Sequence, residues 1–248
     1  AYRTGDIKWV DLNNDGWLDV AMIGQPGGAG VGFQVLLNNK GVFEVKTPTS
    51  VAGLKFSNMA FGDYDNNGTL DMFTSGQDAT GNARSYLYNN DGLGNFSLVP
   101  ELNEFNIIPN MYDADARFID YDLDGDLDLY VANYPPTKFD APNDFYLFKI
   151  FNVTDEESDK LYRNDGDVFT DVTKEAGLES FGLTNSVTVG DLNNDNWPDI
   201  YVTNDYVSDD LLYINNKNGT FTDQSKNYFK HTSLTAMGNE VGDVNNDG

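Results

Sequence analysis

The chain contains no cysteine. Disulfides, thiolate metal sites and a cysteine nucleophile are therefore excluded. It contains one histidine, His231, so a Ser–His–Asp centre would rest on that side chain alone. Basic residues are scarce: 15 Lys and Arg stand against 40 Asp and Glu, a formal net charge of −25. A surface of that sign repels nucleic acid and anionic lipid. No apolar run approaches the ~20 residues that a membrane-spanning helix needs. No signal peptide is visible, and Ala1 to Gly5 read as a mature or truncated start. Also missing are G-x-S-x-G, H-E-x-x-H and phosphate-loop motifs, and with them the commonest enzyme signatures.

Aromatic residues make up 13 % of the chain and glycine contributes 24 residues, a mixture that suits strands and turns. A disordered acidic chain would be poor in aromatics. The composition therefore points to a folded chain with bound counter-cations.

A nine-residue pattern recurs: Asp at position 1, Asp or Asn at 3 and 5, usually Gly at 6, Asp at 9. It reads DLNNDGWLD at 11–19, DYDNNGTLD at 63–71, DYDLDGDLD at 120–128 and DLNNDNWPD at 191–199. A fifth copy opens as DVNNDG at 243–248. Between these loops lies a second pattern: LLNNKGVF, LYNNDGLGNF, LYRNDGDVF and LYINNKNGTF, beginning at Leu36, Leu87, Leu161 and Leu212. Each is an apolar segment, an Asn/Asp/Gly turn and a β-former, which predicts a hairpin. The flanks of the acidic loops alternate as strands do, for example Leu127, Leu129 and Val131. Each unit thus reads strand, acidic loop, strand, connection, strand, hairpin turn, strand. Four antiparallel strands in about 50 residues predict a propeller blade. The expected boundaries are blade 1 over 1–55, blade 2 over 56–112, blade 3 over 113–183, blade 4 over 184–235 and the start of blade 5 over 236–248.

These units resemble the FG-GAP/VCBS repeats of integrin-α-type propellers. The second half is similar to bacterial VCBS-repeat proteins associated with the ASPIC/UnbV domain, through SDKLYRNDGDVFTDVTKEAGL, VGDLNNDNWPDIYVTNDY, DLLYINNKNGTFTD and HTSLTAMGNEVGDVNNDG. The resemblance implies an all-β propeller of seven blades, of which this sequence holds four and the opening of a fifth. It also implies an extracellular or cell-surface protein of a Gram-negative bacterium, associated with the outer membrane and working beside a glycan-uptake transporter.

The spacing itself argues for Ca²⁺. That ion takes six to eight oxygen ligands at ~2.3–2.6 Å, and positions 1, 3 and 5 of a tight loop point alternate side chains inward. Position 7 adds a backbone carbonyl, and Asp at 9 closes the shell. The expected ligands are Asp11, Asn13, Asp15, Trp17 and Asp19; Asp63, Asp65, Asn67, Thr69 and Asp71; Asp120, Asp122, Asp124, Asp126 and Asp128; and Asp191, Asn193, Asp195, Trp197 and Asp199, with Asp243, Asn245 and Asp247 in the truncated fifth loop. Loop three offers four carboxylates at the side-chain ligand positions against three elsewhere, and is expected to bind most tightly. An EF-hand would need Glu at position 12, where Met22, Thr74, Val131 and Val202 stand instead. Zinc would want His or Cys. The matched Trp17 and Trp197 read as packing residues facing a neighbouring blade.

From acidic loop to hairpin Phe the third unit is the longest, with its extra material in 134–158. By strand direction this insertion lies at the end opposite the acidic loops. Its Tyr134, Phe139, Phe145, Tyr146, Phe148 and Phe151 are candidates for a glycan- or protein-docking surface. The opposing reading packs them on their own blade. The function expected is a non-enzymatic, calcium-binding surface module that recognises a glycan or protein. A calcium-dependent polysaccharide lyase or hydrolase and a purely structural spacer are the alternatives.

Overall fold

The computed structural model describes residues 2–27, 30–100, 112–135, 141–154, 157–166, 168–206 and 208–242. The truncated fifth loop (Asp243, Asn245, Asp247) and Phe139 lie outside them. The chain divides into two units, Ala1–Asp113 and Ala114–Gly248.

Unit 1 holds two four-stranded antiparallel sheets. Blade 1 is β1 (Tyr2–Val10), β2 (Asp19–Pro26), β3 (Gly32–Asn39) and β4 (Val42–Lys46); blade 2 is β5 (Lys55–Gly62), β6 (Asp71–Gln77), β7 (Ala83–Asn90) and β8 (Phe96–Leu98). Unit 2 repeats the plan. Blade 3 is β9 (Tyr112–Ile119), β10 (Asp128–Tyr134), β11 (Lys160–Asn164) and β12 (Phe169–Asp171); blade 4 is β13 (Thr184–Gly190), β14 (Asp199–Asn204), β15 (Leu211–Asn215) and β16 (Phe221–Asp223). In every sheet the strands pair in sequence order, so each blade is a meander. The acidic loop joins the first two strands, and the Asn-rich turn joins the last two. This all-β architecture of four-stranded blades is that of a β-propeller.

Strand periodicity of two puts alternate residues on opposite faces, and the two faces of a blade have different partners. In unit 1 blade 1 contributes Val10, Leu12, Ala21, Ile23 and Val35, and blade 2 answers with Met59, Met72, Tyr88 and Phe96. In unit 2 the same repeat positions recur: Ile119, Tyr121, Tyr130, Ala132 and Leu161 meet Val187, Ile200, Tyr213 and Phe221. Each such side chain contributes roughly 1.5–3 kcal/mol when fully buried, so the blade-to-blade seam is the main source of stability within a unit. Polar ties accompany each seam, and one of them recurs at the same repeat position in both. Asp6 Oδ2 accepts the Met59 N–H at 3.0 Å, and Asp115 Oδ2 accepts the Val187 N–H at 3.2 Å.

The insertion carries a helix, α1 (Asn143–Phe151), between β10 and β11. Pro142 precedes it, Asp144 sits in its first turn and Lys149 in its last, as the helix dipole favours. A single helical turn, α2 (Ser225–Tyr228), follows β16. No described helix is long and apolar enough to cross a membrane.

Candidate metal centres

The four acidic loops share one backbone trace. Position 4 has positive φ in each, at Asn14, Asn66, Leu123 and Asn194, and so does position 6, at Gly16, Gly68, Gly125 and Asn196. Two left-handed residues in six curl the chain around the side chain of position 1. That Asp then accepts backbone N–H groups from across the loop. Asp11 Oδ2 takes Gly16 N–H at 2.9 Å, Asp63 Oδ2 takes Gly68 at 2.9 Å, Asp120 Oδ2 takes Gly125 at 3.2 Å and Asp191 Oδ2 takes Asn196 at 2.7 Å. Position 5 accepts the N–H of position 7 at 2.8–2.9 Å in all four.

Among the described residues, two of the four loops gather three carboxylates; loops one and four do not form such a group, and Asp128 stands outside that of loop three. In loop two, carboxylate oxygens of Asp63, Asp65 and Asp71 lie within 4.8 Å of one another; in loop three those of Asp120, Asp122 and Asp124 do so. Among the described residues no Lys or Arg forms an ion pair with loop one or two. The Oδ1 atoms of Asp120, Asp122 and Asn193 are buried without a hydrogen-bond partner. Oxygens in that state favour a cation, because desolvation without compensation is costly. In loop four Lys217 Nζ stands 3.3 Å from Asp195 Oδ2.

Position 9 has a second role that the spacing did not suggest. Asp19, Asp71, Asp128 and Asp199 have no solvent exposure. Each accepts the backbone N–H of a hairpin Asn at or one residue before the end of the third strand: Asn38 at 2.7 Å, Asn90 at 2.9 Å, Asn164 at 2.9 Å and Asn215 at 2.8 Å. Asp19, Asp128 and Asp199 also accept the position-2 N–H of their own loop at 3.0–3.1 Å. The Asn side chain in turn donates to the carbonyl of position 8, for Asn38 to Leu18 at 2.9 Å and for Asn90 to Leu70 at 3.0 Å. Burial, with lesser repulsion from loop neighbours, pushes the carboxyls of Asp71 and Asp128 up to about 7. Asn90 and Asn215 reach further. Their Nδ2 groups donate to the position-2 carbonyls of the preceding blade, Leu12 at 2.8 Å and Tyr121 at 2.7 Å. The spacing of the acidic loops does not point to these asparagines. Their signal was present in the recurring Leu-x-Asn and Leu-x-x-Asn of the hairpin motif.

Of the matched tryptophans, Trp17 is 45 % exposed. Trp197 is half-buried and lines a pocket of about 450 Å³ in unit 2 with Tyr121, Asp122, Arg163, Glu175 and Lys217. Arg163 is engaged there by Asp165 at 2.9 Å.

The structure divides the aromatic candidates of the insertion. Tyr146 is buried, and Tyr134 and Phe145 are half-buried, in a cluster with Phe181 and Leu183. Phe148 and Phe151 are 63 % and 82 % exposed. The projecting surface therefore comes from one side of α1, and Tyr146 belongs to the packing. His231 is exposed.

The FG-GAP-like repeat family model matches residues 11–74, 144–202 and 191–248, more than half of the chain. The chain belongs to the FG-GAP-like repeat family. The first match runs from one acidic loop into the next, and the last two meet on the fourth. Each match thus contains at least one acidic loop, and the first two cross from one blade into the next. No curated protein matches the chain.

Proposed function

We propose that the chain is a calcium-binding scaffold module whose acidic loops each hold one Ca²⁺ and whose opposite end meets a partner. The observation that carries the metal reading is the convergence of Asp63, Asp65 and Asp71, and of Asp120, Asp122 and Asp124, in loops of identical trace. An all-oxygen donor set with no nitrogen or sulfur suits a hard cation. Asp and Asn side chains at positions 1, 3 and 5 would hold the ion. The position-9 Asp would join them with an oxygen already braced by the third strand, so binding would tie the loop to the sheet. The role is structural.

The partner is read as a glycan or protein at the cell surface, met through Phe148 and Phe151 on α1. Both the surface location and a place beside an outer-membrane transporter rest on the likeness to ASPIC/UnbV-associated proteins. No catalytic role is assigned to any residue.

Calorimetry of chelator-stripped protein against Ca²⁺, with melting followed in parallel, tests the metal reading. The expected result is one site for each complete loop and a rise in melting temperature. A site filled to 100 times its Kd stabilises the fold by about 2.7 kcal/mol. Absence of binding, or binding with no change in melting, overturns the reading.

A further inference from the structure

Blades 2 and 4 carry hairpin motifs of equal length, LYNNDGLGNF at 87–96 and LYINNKNGTF at 212–221. Beside these hairpins the two seams finish differently. In unit 1 the space is filled. A Cβ on Gly92 would lie 3.2 Å from Thr69 Cγ2, and one on Gly94 would lie 3.3 Å from Leu37 Cδ2. Counting from the acidic loops and the hairpin asparagines, unit 2 has Trp197 for Thr69, Arg163 for Leu37, Lys217 for Gly92 and Gly219 for Gly94. A Cβ on Gly219 would meet nothing within 4 Å. The space left open is the pocket of about 450 Å³ beside Trp197, a size that suits a small ligand. Blades 1 and 2 close the same place with aliphatic and small residues. Folding of the repeat therefore does not require the aromatic and charged set found in blades 3 and 4.

The lining offers hydrogen-bonding groups that no described residue uses. Glu175 is exposed, and its carboxylate has no hydrogen bond or ion pair among the described residues. The Trp197 indole N–H has no acceptor among them either. Asn218 engages only its Oδ1, which accepts from Thr220, and keeps its amide N–H groups free. The Lys217 ammonium has three donors and gives two contacts to Asp195, at 3.3 and 3.4 Å. Each base has its own acid, Arg163 with Asp165 at 2.9 Å and Lys217 with Asp195, so little positive charge is left for an anion. An ammonium ligand would meet Arg163 and Lys217, which carry its own sign. A hydroxyl both donates and accepts, so a neutral polyol can use Glu175 as acceptor and Lys217, Asn218 and the indole N–H as donors. The indole supplies an apolar face with a polar edge, which suits the C–H face of a sugar ring.

We propose that this pocket binds a neutral pyranose, alone or as the end of a longer glycan, through Trp197, Glu175, Lys217 and Asn218. The site lies beside the acidic loops and shares no residue with α1, so it is separate from the surface formed by Phe148 and Phe151. The sugar is assigned none of the atoms expected to hold a metal, which in this lining are the Asp122 carboxylate and the Trp197 carbonyl. The inference therefore stands or falls apart from the calcium reading.

The test is saturation-transfer difference NMR followed by calorimetry on the full chain in Ca²⁺-containing buffer. The probes are the methyl glycosides of glucose, galactose, mannose and N-acetylglucosamine, with methyl glucuronide and tetramethylammonium as charged comparisons. At least one neutral glycoside should saturate with a Kd on the order of 1 mM. Trp197→Ala, which keeps the backbone carbonyl, should weaken it roughly tenfold or more. Glu175→Gln, at an exposed position that leaves the fold intact, should weaken it severalfold. Trp197→Thr with Lys217→Gly, which writes the residues of blade 2 into blade 4, should abolish binding at an unchanged melting temperature. No saturation by any of the four glycosides overturns the inference, as does binding that survives both Trp197→Ala and Glu175→Gln. Tighter binding of the glucuronide or of tetramethylammonium overturns it in favour of a charged ligand. Calcium binding is read without sugar, and none of these variants removes a side chain expected to hold the metal, so the two readings fail separately.

Discussion

At the fifth residue after the buried aspartate, blades 1 and 2 carry Gly24 and Gly76, whereas blades 3 and 4 carry Asn133 and Asn204. The glycines adopt φ of 143° and 152°, and a Cβ on Gly76 would lie 2.9 Å from Lys55 O. The first pair of blades thus closes this end by bringing backbones together. The second pair closes it with side chains. Asn133 donates its N–H to Asp159 Oδ1 at 2.7 Å and its side chain to Ser158 O at 2.6 Å. Asn204 does the same with Asp210 at 2.9 Å and Asp209 O at 2.8 Å. Where Asp159 and Asp210 stand, blades 1 and 2 have Phe33 and Ser85. At the acidic end all four blades agree, down to the positive φ at positions 4 and 6. The repeat therefore conserves one end as common architecture and varies the other, which is also where α1 is inserted.

The largest expected effect tests the common end. Asp19→Ala and Asp128→Ala, one in each pair, should each cost about 3 kcal/mol or more in urea unfolding with chelator present, since two buried N–H groups lose their acceptor. A large effect in one pair and none in the other would break the claim of a shared architecture.

The next tests the divergent end through pH. Burial pushes the Asp159 carboxyl up to about 6 from the ordinary 3.8, although Tyr130, Thr184 and Asn133 all donate to it. The folded state then holds more protons than the unfolded state between those values. This group's contribution to stability should rise by roughly 2–3 kcal/mol as pH falls from 6 to 4, then level off. Asp159→Asn should remove that slope, measured as the difference in urea midpoint between variant and parent at each pH. An unchanged slope would show that the lock titrates elsewhere.

The smallest concerns Leu123, which sits at φ 58° where the other loops place Asn. Leu123→Asn should stabilise unit 2 by about 0.5–1 kcal/mol, because Asn tolerates the left-handed region better. Loss of stability would mean that the 48 % exposed Leu123 side chain is held by packing after all.

Blade number, strand order and the acidic loops could be read from the chain, because each depends on short-range spacing. Position 6 as a left-handed residue followed from Gly16, Gly68 and Gly125. Position 4 did not, since Leu123 hides the pattern. The double use of Asp19 and its equivalents was out of reach, because it depends on which strand lies beside which, a tertiary fact. The helix at 143–151 is hidden in the sequence because FYLFKIF is interrupted only by Lys149 and gives no clear helical period. Pro142 and Asp144 were the available signs.

The Asn90 and Asn215 side chains bond both within their own blade and into the one before it. Removing the later blade strips the earlier one of a donor for a loop carbonyl. Removing the earlier one leaves the later Asn still joined to its own strand. Yet the Met59 and Val187 N–H groups then lose their Asp6 and Asp115 acceptors, so each blade of a pair withdraws a hydrogen-bond partner from the other when it frays, and neither end of the pair can loosen alone.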